Sequence, residues 1–388
     1  MTAFHVHGGH VLAGEAVLPA ARIEVAAGRI VAIAAPDPAD GPADVTIDLA
    51  GGWLLPGFID TQVNGGGGVL FNDNPSVDSI AAIGAAHARF GTTGFLPTLI
   101  SDAPEAIAGA LDAVDVAIAA GVPGVLGIHI EGPFINAARK GIHDADKLRQ
   151  LDPETIDILM RPRAGRVMLT LAPERVDPAD LARLAPHVLL SAGHSDADYE
   201  TATAAFAQGV RGATHLFNAM SPFTHRAPGL VGAVLDDDAV WCGIIADGVH
   251  AVPAALRLAL RVKGPDRLML VTDAMPNVGN GDTPFMLDGR QITVRDGICR
   301  DAAGTLAGSG LDMARALRNI IAATGAPVAD AARMAAATPA AFLGLGSERG
   351  TLAVGLRADF VVLDAGLNPV QTWCGGEALP APDATRPI

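Results

Sequence analysis

The feature that most restricts the fold is a series of short apolar runs that alternate with helix-like patterns from Gly57 onward. Each run is too short for an ordinary helix, and several are rich in β-branched residues, which is typical of buried parallel strands. The eight runs stand at residues 58–60, 94–98, 125–130, 167–172, 188–193, 213–217, 242–246 and 268–272. Eight strand–helix units over about 290 residues predict an α/β fold with a TIM-like (β/α)8 barrel.

An open, doubly wound parallel sheet is the structural alternative. It is disfavoured because no Gly-x-Gly-x-x-Gly motif opens a helix after the first run. The glycine run at residues 65–68 also lacks the Lys and Ser or Thr of a phosphate-binding loop. The barrel is therefore the preferred prediction.

The two ends of the chain have a different pattern. Residues 4–49 contain short apolar runs that alternate partly at period two between Gly-rich turns, which favours antiparallel strands. Residues 350–364 have the same character. We therefore expect a small β-sandwich domain built from both termini, residues 1–52 and 349–388, beside a barrel of residues 53–348.

Composition narrows the class of ligand. A hydrophobic content of 50% excludes a disordered chain, and a net charge of -15 argues against nucleic acid or an anionic membrane as a partner. A small molecule is the expected ligand.

The three widely spaced cysteines Cys242, Cys299 and Cys374 predict no disulfide framework and no zinc knuckle, which favours a cytoplasmic location. Neither a signal peptide nor a membrane span is expected.

Most of the later runs end on residues that bind metals or exchange protons. They are Glu131 after the third run, His194 after the fifth, His215 in the sixth, Asp247 and His250 beyond the seventh, and Asp273 after the eighth. Taken singly, each has a structural reading as a helix cap or a satisfied histidine. Because the carboxyl ends of barrel strands meet at the face that carries active sites, their shared position predicts a functional site.

Three of these residues form a candidate metal site. Glu131, His194 and His215 supply one carboxylate and two imidazoles, a catalytic set for one divalent ion with a position open to water. Zinc is the expected ion, with iron, cobalt or manganese as alternatives. Such an ion lowers the pKa of bound water and generates hydroxide. Asp273, across the barrel mouth, is then the general acid/base that moves a proton to a leaving amine.

Short segments along nearly the whole chain carry a family likeness. They stand at residues 54–60, 64–65, 71–73, 91–98, 129–134, 140–143, 192–195, 214–220, 246–250, 271–275 and 306–309. Together they resemble the amidohydrolase superfamily, and within it the enzymes that deacetylate amino sugar phosphates. The resemblance implies hydrolysis of the 2-acetamido group of N-acetylglucosamine 6-phosphate, with glucosamine 6-phosphate and acetate as products.

The resemblance also implies roles for further residues. It assigns Glu131, His194 and His215 to the metal and Asp273 to acid/base catalysis. The implied substrate contacts are His143, Asn218, Ala219, Arg226, His250, Leu306, Ala307 and Gly308. Among them, Arg226 would pair with the phosphate, and the 306–308 loop would close over the substrate. The resemblance further implies a homodimer in which His250 and Arg226 reach the neighbouring subunit's site.

The chain departs from the superfamily pattern after the first run. Many members carry His-x-His there, and the two imidazoles hold a second metal. This chain has Gln62 and Asn64 at those positions. Neutral amides are poor ligands for zinc-like ions. We therefore expect at most a remnant of the second metal site and one tightly held ion.

Two other functions are compatible with the sequence. The first is another hydrolase of the same superfamily, acting on N-acetylgalactosamine 6-phosphate or on a cyclic amide, since the sequence does not distinguish the 4-hydroxyl epimers. The second is a noncatalytic scaffold that keeps the fold. The presence of Glu131, His194, His215 and Asp273 argues against a scaffold.

Overall fold

The structure is a computed structural model that describes residues 1–380, so residues 381–388 of the predicted 349–388 segment lie outside the described residues. Within the described range, eight parallel strands form one sheet in which chain neighbours are also sheet neighbours. In chain order the strands are Phe58–Val63, Thr92–Ile100, Gly127–Glu131, Arg166–Leu171, Leu189–Ala192, Val210–Ala213, Trp241–Ile245 and Leu268–Val271.

The first and eighth strands meet and close the sheet into a barrel. The backbone N–H of Asp273 donates to the carbonyl of Gln62 at 3.0 Å, and the N–H of Asn64 donates to the carbonyl of Ala274 at 2.9 Å. The predicted (β/α)8 barrel is therefore confirmed. The carboxyl ends of all these strands face the same side, where barrel enzymes carry their active sites.

Amphipathic helices cover the barrel. The helix Pro104–Ala119 is an example: it begins with a proline at its first position and buries Ile107, Leu111 and Val114 on one face. The described helices are Val77–Ala88, Pro104–Ala119, Pro153–Leu159, Pro178–Leu184, Tyr199–Ala207, Gly229–Asp236, Pro253–Lys263, Met313–Thr324, Val328–Ala335 and Ala337–Phe342. Among them, none combines the length and apolar character needed to cross a membrane.

The sixth strand lies earlier than the sequence predicted. The expected run was 213–217, whereas the strand is Val210–Ala213. The apolar pattern of this strand is interrupted by Arg211 and Gly212, so the sequence does not indicate a strand there. The apolar residues that follow form a turn instead, in which Leu216 is fully buried. His215 therefore lies beyond the end of the strand rather than within it.

Strands from both termini form two further sheets. Within residues 1–380, a four-stranded sheet has the order Arg29–Ala34, Ala21–Ala26, Thr2–His7, Val45–Asp48. A six-stranded sheet in the same range has the order Glu377–Ala378, Pro369–Cys374, Phe360–Leu363, Trp53–Pro56, His10–Ala13, Ala16–Leu18. Phe4 of one sheet packs edge-on against Phe360 of the other, with ring centroids 5.3 Å apart. The sheets share one apolar core, while the boundaries at 52/53 and 348/349 stay predictions.

An antiparallel sheet that the sequence did not predict follows the eighth barrel strand. In the described chain its strands are Phe285–Leu287, Arg290–Arg295, Ile298–Arg300 and Leu306–Ser309. The last strand is tied to the barrel mouth, because the N–H of Ser309 donates to the carbonyl of Asp273 at 2.9 Å. Residues 306–308, which were expected to form a loop, therefore belong to a strand that lies beside the carboxyl ends of the barrel strands.

Candidate active site

Glu131, His194 and His215 converge at the carboxyl face of the barrel. Glu131 is the last residue of the third strand, and each histidine lies two residues beyond a strand end. The Oε1 of Glu131 is 3.2 Å from Nε2 of His194 and 3.0 Å from Nε2 of His215, and the two ring nitrogens are 3.1 Å apart. All three side chains are buried.

This cluster fits a single metal ion. Ligand atoms at roughly 2.0–2.1 Å from a tetrahedral zinc lie about 3.3 Å apart, close to the three separations found here. The Nδ1 of His194 lies 2.9 Å from the carbonyl of Arg139, which places the ring proton on Nδ1 and leaves the Nε2 lone pair for a metal. One carboxylate with two imidazoles is also a donor set that zinc-like ions prefer.

The backbone at the strand ends is left-handed at three site residues. The φ angles are 48° at His194, 35° at His215 and 53° at Asp273. Residues with side chains rarely adopt this conformation, and its cost is maintained only where surrounding structure fixes it. This backbone turn directs each side chain into the barrel mouth. In the sequence, only Gly193 before His194 indicates such a turn.

Asp273 is held by two amides. Its Oδ1 accepts hydrogen bonds from Nδ2 of Asn64 at 2.6 Å and from Nε2 of Gln62 at 3.2 Å. The same Nε2 of Gln62 donates to Oε1 of Glu131 at 3.1 Å. Burial, and next the negative charge of Glu131, raise the pKa of the Asp273 carboxyl to about 6. Such a carboxyl can exchange a proton near neutral pH.

Two further histidines face the same cleft. His143 lies with Nδ1 2.7 Å from Oγ of Ser101, and its ring contacts that of His194 edge-on, with centroids 4.5 Å apart. Burial, and next the charge of His194, lower the pKa of His143 to about 3, so its imidazole is neutral. His250 is oriented by Asp247, whose Oδ2 is 2.7 Å from Nδ1 of His250.

The cleft has a volume of about 470 Å³ and brings together most of the predicted site residues. Its lining includes Asn64, Glu131, His143, His194, His215, Asn218, Ala219, His250, Asp273, Leu306 and Gly308. Ala307 is buried and lies outside the lining. Sequence reasoning missed Asn72, Arg139, Arg300 and Thr305, which also line the cleft. Of these, only Asn72 stood in a segment that carried the family likeness.

Arg226 and His250, which the resemblance assigned to a neighbouring subunit's site, differ in their position relative to this cleft. His250 lines the cleft of its own chain, and the expectation that it reaches a neighbouring subunit's site stays a prediction. It lies here because the loop after the seventh strand begins at the same barrel face as the metal cluster. Arg226 lies in an exposed turn and does not line this cleft.

A barrel of this kind, with a carboxylate and two imidazoles converging beside a second carboxylate, defines a metal-dependent hydrolase. The sequence model of the amidohydrolase family matches residues 53–379, and the chain belongs to this family.

Several relatives of the chain carry the names of amino sugar phosphate deacetylases. The chain is 43% identical to N-acetylgalactosamine-6-phosphate deacetylase from Shewanella sp. (strain ANA-3), over 92% of this chain and 91% of that protein. It is 40% identical to the human N-acetylglucosamine-6-phosphate deacetylase, over 89% and 87%. A solved structure of N-acetyl-D-glucosamine-6-phosphate deacetylase from Mycobacterium smegmatis superposes with a TM-score of 0.89 at 35% identity, over 98% and 100% of the two chains.

Proposed function

We propose that this chain hydrolyses the 2-acetamido group of N-acetylglucosamine 6-phosphate and releases acetate and glucosamine 6-phosphate. The single observation that carries the proposal is the placement of Asp273 beside the cluster of Glu131, His194 and His215 in one cleft. The names of the relatives support the substrate class. The test is acetate release from a panel of N-acetylated sugars, each with and without the 6-phosphate.

One divalent ion completes the site, with Glu131, His194 and His215 as its ligands. Zinc suits this donor set best, and iron, cobalt or manganese suit it next. When bound, the ion polarises the amide carbonyl and makes hydroxide available near neutral pH.

The chain's own residues move the proton and orient the amide. Gln62 and Asn64 both donate to Oδ1 of Asp273, which leaves Oδ2 to take a proton from the attacking water. Asp273 then delivers this proton to the amide nitrogen as the C–N bond breaks. His143, neutral and tied to Ser101, donates a hydrogen bond to the amide oxygen as negative charge develops there.

We propose no second metal ion, because the Gln62 amide lies where it would bind. The amide nitrogen of Gln62 lies between the Glu131 and Asp273 carboxylates and donates a hydrogen bond to each. This position therefore holds an N–H donor, which has no lone pair to offer to a second ion. Gln62 and Asn64 therefore act as supports for the carboxylates rather than as ligands.

The galacto epimer is the second candidate substrate. It is favoured by one observation: the relative that is 43% identical carries the name N-acetylgalactosamine-6-phosphate deacetylase. The kcat/KM ratio of the two 6-phosphates decides between them. A ratio of at least about 10 in either direction, which corresponds to about 1.4 kcal/mol of transition-state discrimination, assigns the epimer.

The phosphate site and the assembly are proposed together. Asn218 and Ala219 line the cleft, and Ala219 has a left-handed backbone with φ 52°. We assign both residues to the phosphate. Arg226 lies outside the cleft of its own chain, so we place it in the cleft of a partner within a homodimer.

We also propose a cytoplasmic location, which the free thiols of Cys242, Cys299 and Cys374 support.

A further inference from the structure

A second cleft lies at the opposite end of the barrel from the metal cluster, where the strands begin. Arg166 is the first residue of the fourth strand, Leu189 the first of the fifth, and Arg211 the second of the sixth. All three line this cleft, which has a volume of about 490 Å³. That volume lies in the range of small-molecule sites.

The charge of this cleft is opposite to that of the whole chain. The protein has a net charge of -15. Among residues 1–380, the lining nevertheless includes no carboxylate, and its ionisable side chains are Arg161, Arg163, Arg166, His187 and Arg211. Like charges gathered in a concave surface repel one another and concentrate a positive potential that attracts anions.

Three of the arginines have guanidinium N–H donors that no carboxylate engages among the described residues. In the described part of the chain, no carboxylate forms an ion pair with Arg161, Arg166 or Arg211. Arg166 donates one hydrogen bond to the carbonyl of Gly344 at 3.3 Å. Arg211 lies over the ring of Trp241, 5.3 Å from its centroid, which orients the guanidinium without neutralising it.

The fourth arginine carries buried donors without acceptors. The Arg163 side chain is only 8% exposed, and its Nη1 pairs with Asp112 and Asp115. Its Nε and Nη2 are buried and have no hydrogen-bond partner among the described residues. This edge of a guanidinium is one that binds an oxyanion with two parallel hydrogen bonds. A buried charged donor without an acceptor is costly. Because Arg163 lines the cleft, an oxyanion bound there would supply acceptors for its Nε and Nη2.

We propose that this cleft binds a small molecule that carries a diphosphate group. Arg161, Arg166 and Arg211 contact the phosphate oxygens, and Arg163 supplies the deeper guanidinium. A diphosphate fits better than a single phosphate because four guanidinium groups offer more donors than one phosphate can accept. The site is separate from the catalytic cleft and does not depend on the proposed deacetylase activity.

The test is isothermal titration of the full chain with inorganic pyrophosphate. We expect saturable binding to the natural protein and a Kd that rises by at least about tenfold in the double variant Arg161→Gln, Arg211→Gln. The matched control is Arg183→Gln. Arg183 lies outside the cleft and pairs with Asp157 at 3.0 Å. Its loss removes one positive charge, as each of the single variants Arg161→Gln and Arg211→Gln does, and should change the Kd less than about twofold.

Three results overturn the proposal: no saturable binding by the natural protein, an unchanged Kd in the double variant, or equal weakening by Arg183→Gln. An unchanged Kd would place pyrophosphate in the catalytic cleft instead. Thermal unfolding without ligand checks that each variant is folded. If the double variant does not fold, the single variants Arg161→Gln and Arg211→Gln take its place, each expected to weaken binding at least about threefold.

Discussion

Asn64 donates a 2.6 Å hydrogen bond from its Nδ2 to the Oδ1 of Asp273, and so links the ends of the first and eighth barrel strands. Gln62 donates to the same oxygen. The two oxygens of Asp273 are therefore unequal: one is held by amides and the other is left to exchange a proton. Both amides stand at the carboxyl end of the first strand, where they support a carboxylate.

The change Asp273→Asn tests the proton transfer. The variant keeps the shape of the side chain but removes the base, so kcat should fall by at least about 100-fold, the scale of general acid/base catalysis. The metal content should stay the same because Asp273 is outside the ligand cluster. Steady-state kinetics and metal analysis of the same sample measure both. Near-normal kcat, or loss of the metal, would move the proton transfer to His250.

Metal analysis of the purified protein tests the single-ion proposal. We expect one tightly bound divalent ion per chain. His194→Ala should lose both metal and activity, since two ligands hold zinc poorly. The matched control is His10→Ala, because His10 is exposed and contacts the ring of Trp53 in the sheet formed by the terminal strands. Two equally tight ions in the natural protein would contradict the support role given to Gln62 and Asn64.

The change Arg226→Ala tests the phosphate contact. It should raise KM for the 6-phosphorylated sugar and barely affect the unphosphorylated one. The expected loss is about 2 to 4 kcal/mol, the range for removing one member of a desolvated charge pair. Arg261→Ala, which removes an exposed arginine at a helix end, is the control. Equal effects on both sugars would mean that Arg226 does not contact the phosphate.

Asp60 gives the stability of the barrel a dependence on pH. The Asp60 carboxyl accepts from the backbone N–H of Gln62 at 3.1 Å and from the hydroxyl of Thr272, and so joins the first and eighth strands. Burial raises its pKa from 3.8 to about 7. The folded chain therefore keeps a proton that the unfolded chain has already lost. The stabilisation is fully present below about pH 4 and is lost as the pH rises to about 7.

The measurement compares the natural protein with Asp60→Asn by urea unfolding at pH 5 and pH 8. Relative to the variant, the natural protein should lose about 2.5 kcal/mol of unfolding free energy between these values. The comparison cancels the contributions of titrating groups that do not interact with Asp60. A difference that stays constant with pH would mean that Asp60 has the same pKa in the folded and unfolded chain.

The barrel could be predicted because its signal is local and repeated. Buried parallel strands must be apolar on both faces, so each leaves a readable run, and residues such as Glu131 and Asp273 stand where these runs stop. The sixth strand was misplaced because Arg211 sits at the solvent-facing end of the barrel, where a charge is tolerated. The 285–309 sheet was missed because its short, half-exposed strands have no continuous apolar pattern.

The contacts within the site depend on features that residue types do not encode. The left-handed turns at His194 and His215 are fixed by surrounding packing rather than by glycine. The single amide of Gln62 reaches two carboxylates that are 69 and 211 residues away in the chain. Arg139 ends a single 3-10 turn and Arg300 ends a three-residue strand, and elements this short carry no readable periodicity.

The strand Trp53–Pro56 lies between His10–Ala13 and Phe360–Leu363, and its pairing has a consequence for biosynthesis. During translation, its N-terminal neighbour is available at once, whereas its other neighbour is made about 300 residues later, at roughly 5–20 residues per second. One edge of Trp53–Pro56 therefore stays open to solvent for at least about 15 seconds on the ribosome. A nascent chain that stalls before Phe360 exposes an unpaired edge strand, a site where other chains add and aggregation begins.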